Sequence, residues 1–156
     1  MTDRRKFLKS STYAMAGIGL GSLVSFETLA EAKKHIGANG KINVGAVGIN
    51  GMGWADVTSL MKILEVQIVA LCDVDENVLN FRKYELAKAG IKVATYVDYR
   101  KLLENKDIDV VVIGTPDHWH CLIMVEACQA GKDVYCEKPC GNSIAECNAM
   151  MAAQVK

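Results

Sequence analysis

The chain of 156 residues reads as an α/β protein with a doubly wound parallel sheet, and three features of the sequence say so. Short apolar runs alternate with stretches whose apolar residues recur every three or four positions, the pattern of strands separated by helices. One run, Val110 to Ile113, is apolar without alternation, as expected of a parallel strand covered on both faces. The first run, Ile42 to Val47, passes through Gly48, Gly51 and Gly53 straight into helical spacing at Trp54, Val57, Leu60, Met61 and Leu64. Strand, glycine turn and helix in immediate succession make the first half of a βαβ unit.

The amino-terminal segment stands apart from this pattern. Asp3-Arg4-Arg5-Lys6-Phe7-Leu8-Lys9 sets an arginine pair ahead of the apolar run Ala14 to Phe26, whose 13 residues are too few to cross a bilayer and suit the core of an export signal. Thr28-Leu29-Ala30 and Ala30-Glu31-Ala32 both offer small residues for cleavage. Residues 1–32 are expected to be a twin-arginine signal peptide, residues 33–40 a linker and residues 41–156 the folded domain. The expected partner of the signal is the twin-arginine export machinery and the expected location is the periplasm, with no stable membrane anchor. That route carries proteins folded beforehand, often around a cofactor.

The glycine turn suggests what the fold binds. A pyrophosphate is held by backbone N–H groups at a helix N-terminus, and a Cβ in the turn would block its approach. Gly48 is expected to make the tight turn and Gly53 to let the helix pack close to the strand. In G-x-G-x-x-G spacing the second glycine falls at Asn50, with Gly51 and Met52 following. Asn tolerates positive φ, so the turn can still form around it.

Val66 to Cys72 is the second strand. Asp73, at its end, lies 25 residues after Gly48, near the offset at which an acidic residue holds the adenosine ribose. Such a carboxylate accepts both ribose hydroxyls and repels a 2′-phosphate, and Val74-Asp75-Glu76-Asn77 offers that phosphate no cation. NAD rather than NADP is the expected cofactor; the other role open to Asp73 is capping the next helix. Asp75 to Ala89 reads as that helix, with Val78, Phe81 and Leu86 inward. Ile91 to Tyr96 is a third strand, and Asp98 to Glu104 a short helix with Asp98 at its N-cap.

Ile108 to Ile113 is the fourth strand. It ends in Gly114-Thr115-Pro116-Asp117-His118-Trp119-His120, a loop at the carboxyl end of a strand, where open α/β sheets bind ligands. A helix from Asp117 to Ala130 follows, stopped by Gly131. Asp133 to Cys136 is the fifth strand and runs into Glu137-Lys138-Pro139. The last helix opens at Ser143 with Glu146 three residues on, a capping box, and Ile144, Cys147 and Met151 share one face. The expected strand order is 3-2-1-4-5.

Other function classes find little support. Lys plus Arg number 18 and Asp plus Glu 18, so there is no basic excess for nucleic acid. Of the six cysteines, Cys121 and Cys128 lie seven apart on one helix face and are expected in the core, while Cys136, Cys140 and Cys147 lack zinc-ligand spacing. No metal site is expected.

VGAVGINGMG at 44–53, LCDVD at 71–75, TPDHWH at 115–120 and AGKDVYCEKP at 130–139, with the helix from Ser143, carry a resemblance to the Gfo/Idh/MocA oxidoreductases, relatives of glucose–fructose oxidoreductase and inositol dehydrogenase. It covers nearly everything after position 40. The resemblance implies a Rossmann fold holding NAD. It implies that Lys138 lies beside the nicotinamide, holds the substrate hydroxyl and relays its proton, and that Pro139 stiffens the turn. Thr115, Pro116, His120 and Glu137 would lie along the cofactor groove. His118 and Trp119 are open to two roles, facing a sugar ring or packing and capping a helix. The implied substrate is a sugar or polyol, and the implied full-length state a homo-oligomer. Members of the family continue into a second α/β domain, so the chain is expected to be truncated before it. Three functions follow: an NAD-dependent dehydrogenase; an NAD-using glycoside hydrolase of the same superfamily, whose members often lack Glu-Lys-Pro; or a non-catalytic nucleotide-binding fragment.

Overall fold

The computed structural model describes residues 40–155; the twin-arginine segment, its cleavage points and the linker up to residue 39 lie outside the described residues. Along the chain run β1 (Ile42–Val47), α1 (Gly51–Leu60), β2 (Val66–Cys72), α2 (Glu76–Lys88), β3 (Ala94–Tyr96), α3 (Tyr99–Leu103), β4 (Val110–Ile113), a 3-10 turn (Asp117–Trp119), α4 (His120–Gln129), β5 (Asp133–Cys136) and α5 (Ile144–Gln154). The five strands form one parallel sheet in the order β3-β2-β1-β4-β5. The order reverses between β1 and β4, and the two chain crossings that diverge there leave a crevice at the strands' carboxyl ends.

Period-two alternation sends the strand side chains to two cores, one on each face. Val111 and Ile113 join Leu102, Ile108 and Ile123 on one face, while Val112 joins Val44, Val57, Leu79 and Leu86 on the other. Each such side chain, fully buried, stabilises the fold by about 1.5–3 kcal/mol. The register of β1 on β2 slips between Val44 and Gly45, pairing Val44 with Ile68 and Gly45 with Ala70. The extra residue, Val69, packs on the same face as Ala70, so Ile68 and Leu71 both reach the opposite core. Lys132 ties the opening of β5 to the loop before β4: its ammonium donates to the carbonyls of Asn105 and Ile108 at 2.8 Å each.

Three side-chain caps are present, those at Asp98 and Ser143 expected from the sequence and that at Asp75 not. Asp75 accepts from the Asn77 N–H and Asp98 from the Arg100 N–H, both at 2.9 Å, and Ser143 from the Glu146 N–H at 3.2 Å. The capping box at Ser143 is only half closed, because the Glu146 carboxylate takes the Asn142 N–H instead.

Several expectations are corrected. Helix α1 ends at Leu60, leaving Leu64 beyond it and exposed. On α2 the buried residues are Leu79 and Leu86, seven apart, and Phe81 turns outward. The third and fourth strands are shorter than expected, beginning at Ala94 and Val110, although Ile108 is still buried. The helix expected from Asp117 starts at His120, after the 3-10 turn. On α5 Met150 is buried while Ile144 and Met151 are exposed, a face rotated by about one residue, or roughly 100°. Cys121 and Cys128 are half-buried, not core. Among the described residues no helix is long and apolar enough to cross a membrane.

Candidate functional site

The crevice at the carboxyl ends of β1, β2 and β4 holds a cavity of about 800 Å³. Its floor is an interlock of three glycines. Gly48 has φ +77°, and a Cβ there would come within 2.6 Å of the Thr115 nitrogen. A Cβ on Gly53 would meet the Gly48 carbonyl oxygen at 1.9 Å, and one on Gly114 would meet the Gly53 Cα at 2.4 Å. Backbone therefore lies directly on backbone from the turn after β1, through the first turn of α1, to the loop after β4. Sequence reasoning weighed Gly48 and Gly53 but not Gly114; a glycine closing an apolar strand was the available signal.

Asn50 does not take the positive φ foreseen for it. It is extended (φ −105°, ψ 160°) and caps α1, its side-chain oxygen accepting the Gly51 N–H at 3.0 Å. The left-handed conformation moves to Gly51, φ +49°, and a Cβ at Gly51 would meet nothing within 4 Å. The amino end of α1 thus opens on the cavity, with Gly48, Asn50 and Gly51 in the wall, Met52 exposed beside it and Gly53 buried behind.

Asp73 also lines the cavity. Its two oxygens accept the N–H groups of Ile49 and Asp75, each at 3.0 Å. It therefore ties the glycine turn to the end of β2, and each oxygen keeps a lone pair for a ligand hydroxyl. Helix capping falls to Asp75, not to Asp73. Opposite, Thr115 and Pro116 form the wall, and the Thr115 hydroxyl oxygen is buried without a hydrogen-bond partner. An orphaned hydroxyl, an open helix N-terminus and a carboxylate with free lone pairs suit a dinucleotide: hydroxyl and amide donors for phosphate oxygens, an acceptor for ribose.

His120 does not line this cavity. The ring is buried, with Nδ1 2.8 Å from the Pro139 carbonyl oxygen and Nε2 2.8 Å from the Thr115 carbonyl oxygen. A neutral imidazole donates to one of these, and a doubly protonated ring to both. Either way His120 braces the Thr115 loop against the turn that carries Lys138. Glu137 and Lys138 also lie outside the cavity wall. Glu137 extends the β4 ladder through its N–H to the Ile113 carbonyl at 3.0 Å and accepts the Tyr135 hydroxyl at 3.2 Å. Asp56 of α1 was not weighed from sequence; burial, then the nearby Glu137 charge, raises its carboxyl above the usual range. Lys138 is exposed on the turn. Trp119 is half exposed at the cavity rim, and His118 is exposed beside Asp117.

Arg100 was not foreseen either. It is the only Lys or Arg among the described residues lining the cavity, and it enters from α3, beside Asp98 and near Asp73. Its Nη1 lies 3.7 Å from an Asp98 oxygen and its Nε 3.4 Å from Glu126 Oε2. That same Glu126 oxygen accepts the Tyr99 hydroxyl at 2.8 Å, and burial together with this bond pushes the Tyr99 phenol up to about 12. Burial likewise pushes the Cys72 and Cys136 thiols up to about 12. Among the described residues no three His, Cys, Asp or Glu side chains gather to hold a metal ion.

Comparison with known proteins gives a match to the oxidoreductase family with NAD-binding Rossmann fold over residues 42–156. The chain is similar to a glycosyl hydrolase family 109 protein of Solibacter usitatus, 32% identical over 154 residues, covering 94% of this chain and 35% of that protein. It is also similar to an alpha-N-acetylgalactosaminidase of Shewanella oneidensis, 27% identical over 161 residues, covering 92% of this chain and 35% of that protein. Among solved structures it is similar to myo-inositol 2-dehydrogenase from Lactobacillus plantarum, with a TM-score of 0.66 and 31% identity, covering 72% of this chain and 32% of that one. The chain thus spans about a third of the length of the relatives it matches.

Proposed function

Because the chain belongs to the Gfo/Idh/MocA oxidoreductase family, with its NAD-binding Rossmann fold, we propose that it is the nucleotide-binding part of an NAD-dependent enzyme moving a hydride between a sugar or polyol carbon and the nicotinamide. The observation that carries this reading is the cavity wall, which holds both the open amino end of α1, suited to a pyrophosphate, and Asp73, suited to an adenosine ribose. NAD, when bound, supplies the hydride acceptor. The chain's own residues then divide the work. Backbone amides at the amino end of α1 and the Thr115 hydroxyl donate to phosphate oxygens, and Asp73 accepts from the ribose hydroxyls. Lys138 holds the substrate hydroxyl and relays its proton as the carbon–hydrogen bond breaks.

The names of the relatives favour a second reading, in which the same hydride transfer runs forward and then back around the cleavage of a glycoside. Net NADH separates the two: a dehydrogenase accumulates it with substrate, and a hydrolase releases sugar without it. Assaying the enzyme that contains this chain against sugars, polyols and N-acetylgalactosaminides decides between them. Lys138→Ala is expected to lower kcat about 10²-fold and leave NAD affinity within a few-fold. A variant with near-normal turnover would return Lys138 to the solvent. We also propose export to the periplasm, on the Arg4-Arg5 pair ahead of the short apolar run. Replacing both with Lys should leave the protein in the cytoplasmic fraction.

A further inference from the structure

We propose that Arg100 decides which dinucleotide the cavity prefers: shared between Asp98 and Glu126 it is withheld from a ribose 2′-phosphate, and once released it becomes the cation that such a phosphate needs. The inference rests on the dinucleotide-binding function proposed above and concerns its adenosine end.

The placement comes from the sheet. Cys72 pairs with Tyr96, and the Asp73 N–H donates to the Tyr96 carbonyl at 3.2 Å, so β2 and β3 end side by side. Asp98 and Arg100 follow Tyr96 at once and face the same cavity as Asp73. The expectation of NAD from sequence looked for a cation only in the residues after Asp73. The cation is present, but it comes from the next strand's loop. Asp73 and Asp98 of the cavity wall, with Glu126 outside the wall but 3.4 Å from Arg100, set three carboxylates against one guanidinium, a surplus of negative charge that a dianionic 2′-phosphate would meet. The ion pairs holding Arg100 are long, at 3.7 and 3.4 Å, against 2.7–2.9 Å for a tight charge-assisted bond, and its side chain is about half exposed. The hold is therefore releasable. A guanidinium presents parallel N–H groups that match two phosphate oxygens, which a lone lysine ammonium does not.

The test is a ladder of charge removals, read as the ratio of NADP to NAD affinity by titration calorimetry on the chain. Asp73→Ser removes the repelling carboxylate. Because Asp73 also anchors Ile49, the substitution loosens the turn for both dinucleotides alike, and the ratio cancels that loss. Glu126→Gln and Asp98→Asn then free Arg100 while keeping an acceptor for the Tyr99 hydroxyl and for the Arg100 N–H. Asp73→Ser is expected to raise the ratio about tenfold, and the two further changes together about tenfold more. Arg100→Gln in the triple background should take back most of the gain, and Arg100→Met, which keeps the aliphatic stem, should do the same. A gain that survives both Arg100 variants, or a ratio unmoved by freeing Arg100, overturns the inference while leaving NAD binding intact. A wild-type chain that is folded by circular dichroism and binds neither dinucleotide overturns the inference together with the function on which it rests.

Discussion

The two ends of the proposed catalytic groove are held in different ways. At the glycine turn, Gly48, Gly53 and Gly114 touch backbone to backbone, and the Gly48 N–H and Asp73 fasten the turn to β2. At the Lys138 turn there is no such interlock. One buried imidazole, His120, spans from the Thr115 carbonyl to the Pro139 carbonyl, and the lysine it positions is exposed. The interlock at the first end tolerates no added atom; the second depends on one side chain finding two acceptors. A phosphate site needs fixed N–H vectors, which a locked backbone supplies. The proposed substrate lysine is carried instead on a turn that one side chain braces.

Substitutions can break this contrast, and their expected effects run from large to negligible. Gly53→Ala forces a methyl carbon onto the Gly48 carbonyl, with backbone on both sides and no flexible tip to yield. It should lower unfolding free energy by about 3 kcal/mol in a urea titration and abolish NAD binding. Unchanged stability would mean that the interlock opens readily.

His120→Phe keeps a ring of similar size but leaves the Thr115 and Pro139 carbonyls without their partner. A loss of about 2 kcal/mol is expected. In the enzyme containing this chain, kcat should fall more than NAD affinity, because the brace serves the lysine end. Equal loss of both would place His120 with the nucleotide site instead.

The alkaline limb of stability tests both ends, since each carries a thiol withdrawn from water, Cys72 fully and Cys136 in part. Cys72 ends β2 below the glycine turn, and Cys136 ends β5 below the lysine turn. Burial lifts both from 9.0 to about 12, so the unfolded chain loses its thiol protons before the folded one does. Their stabilising contribution is complete below pH 9 and disappears as pH rises toward 12. Cys72→Val or Cys136→Val should flatten part of that decline in thermal melts taken at successive pH values. A slope identical to wild type would assign the decline elsewhere, with Tyr99 next in line.

The smallest effect belongs to Lys138→Ala. The residue is exposed, so the melting midpoint should move by less than the equivalent of about 0.5 kcal/mol. A larger shift would reveal a structural duty for the lysine.

Much of this was legible in the sequence because the signals were local. The turn at Gly48 and Gly53 and the caps at Asp98 and Ser143 rest on neighbours within a few residues, and the strand order follows from the doubly wound class that the alternation of strands and helices announces. The misses share a different origin. Gly114 matters only through Gly48 and Gly53, brought beside it by the sheet; Arg100 reaches the cavity only because β3 ends beside β2; and His120 turns inward because Pro139 offers an acceptor from another strand's loop. Faces were misjudged for a related reason. On α2 and α5 the inward stripe is set by where the helix lies on the sheet, so Leu79 and Met150 are buried while Phe81, Ile144 and Met151 are not. Asn50 was assigned the wrong conformation because the glycine after it was free to take the left-handed turn.

The glycine interlock has a consequence for inheritance. Its contacts contain no side-chain atoms, so nothing in them is private to one lineage. A recombinant gene that takes residues 40–60 from one parent and residues 105–120 from another would join cleanly there, provided both parents carry glycine at the three matching positions. A seam of that kind lets nature splice new halves onto an old phosphate cradle. The brace at His120 asks for more, because a histidine must stand at that one position for a ring to reach the two carbonyls it spans.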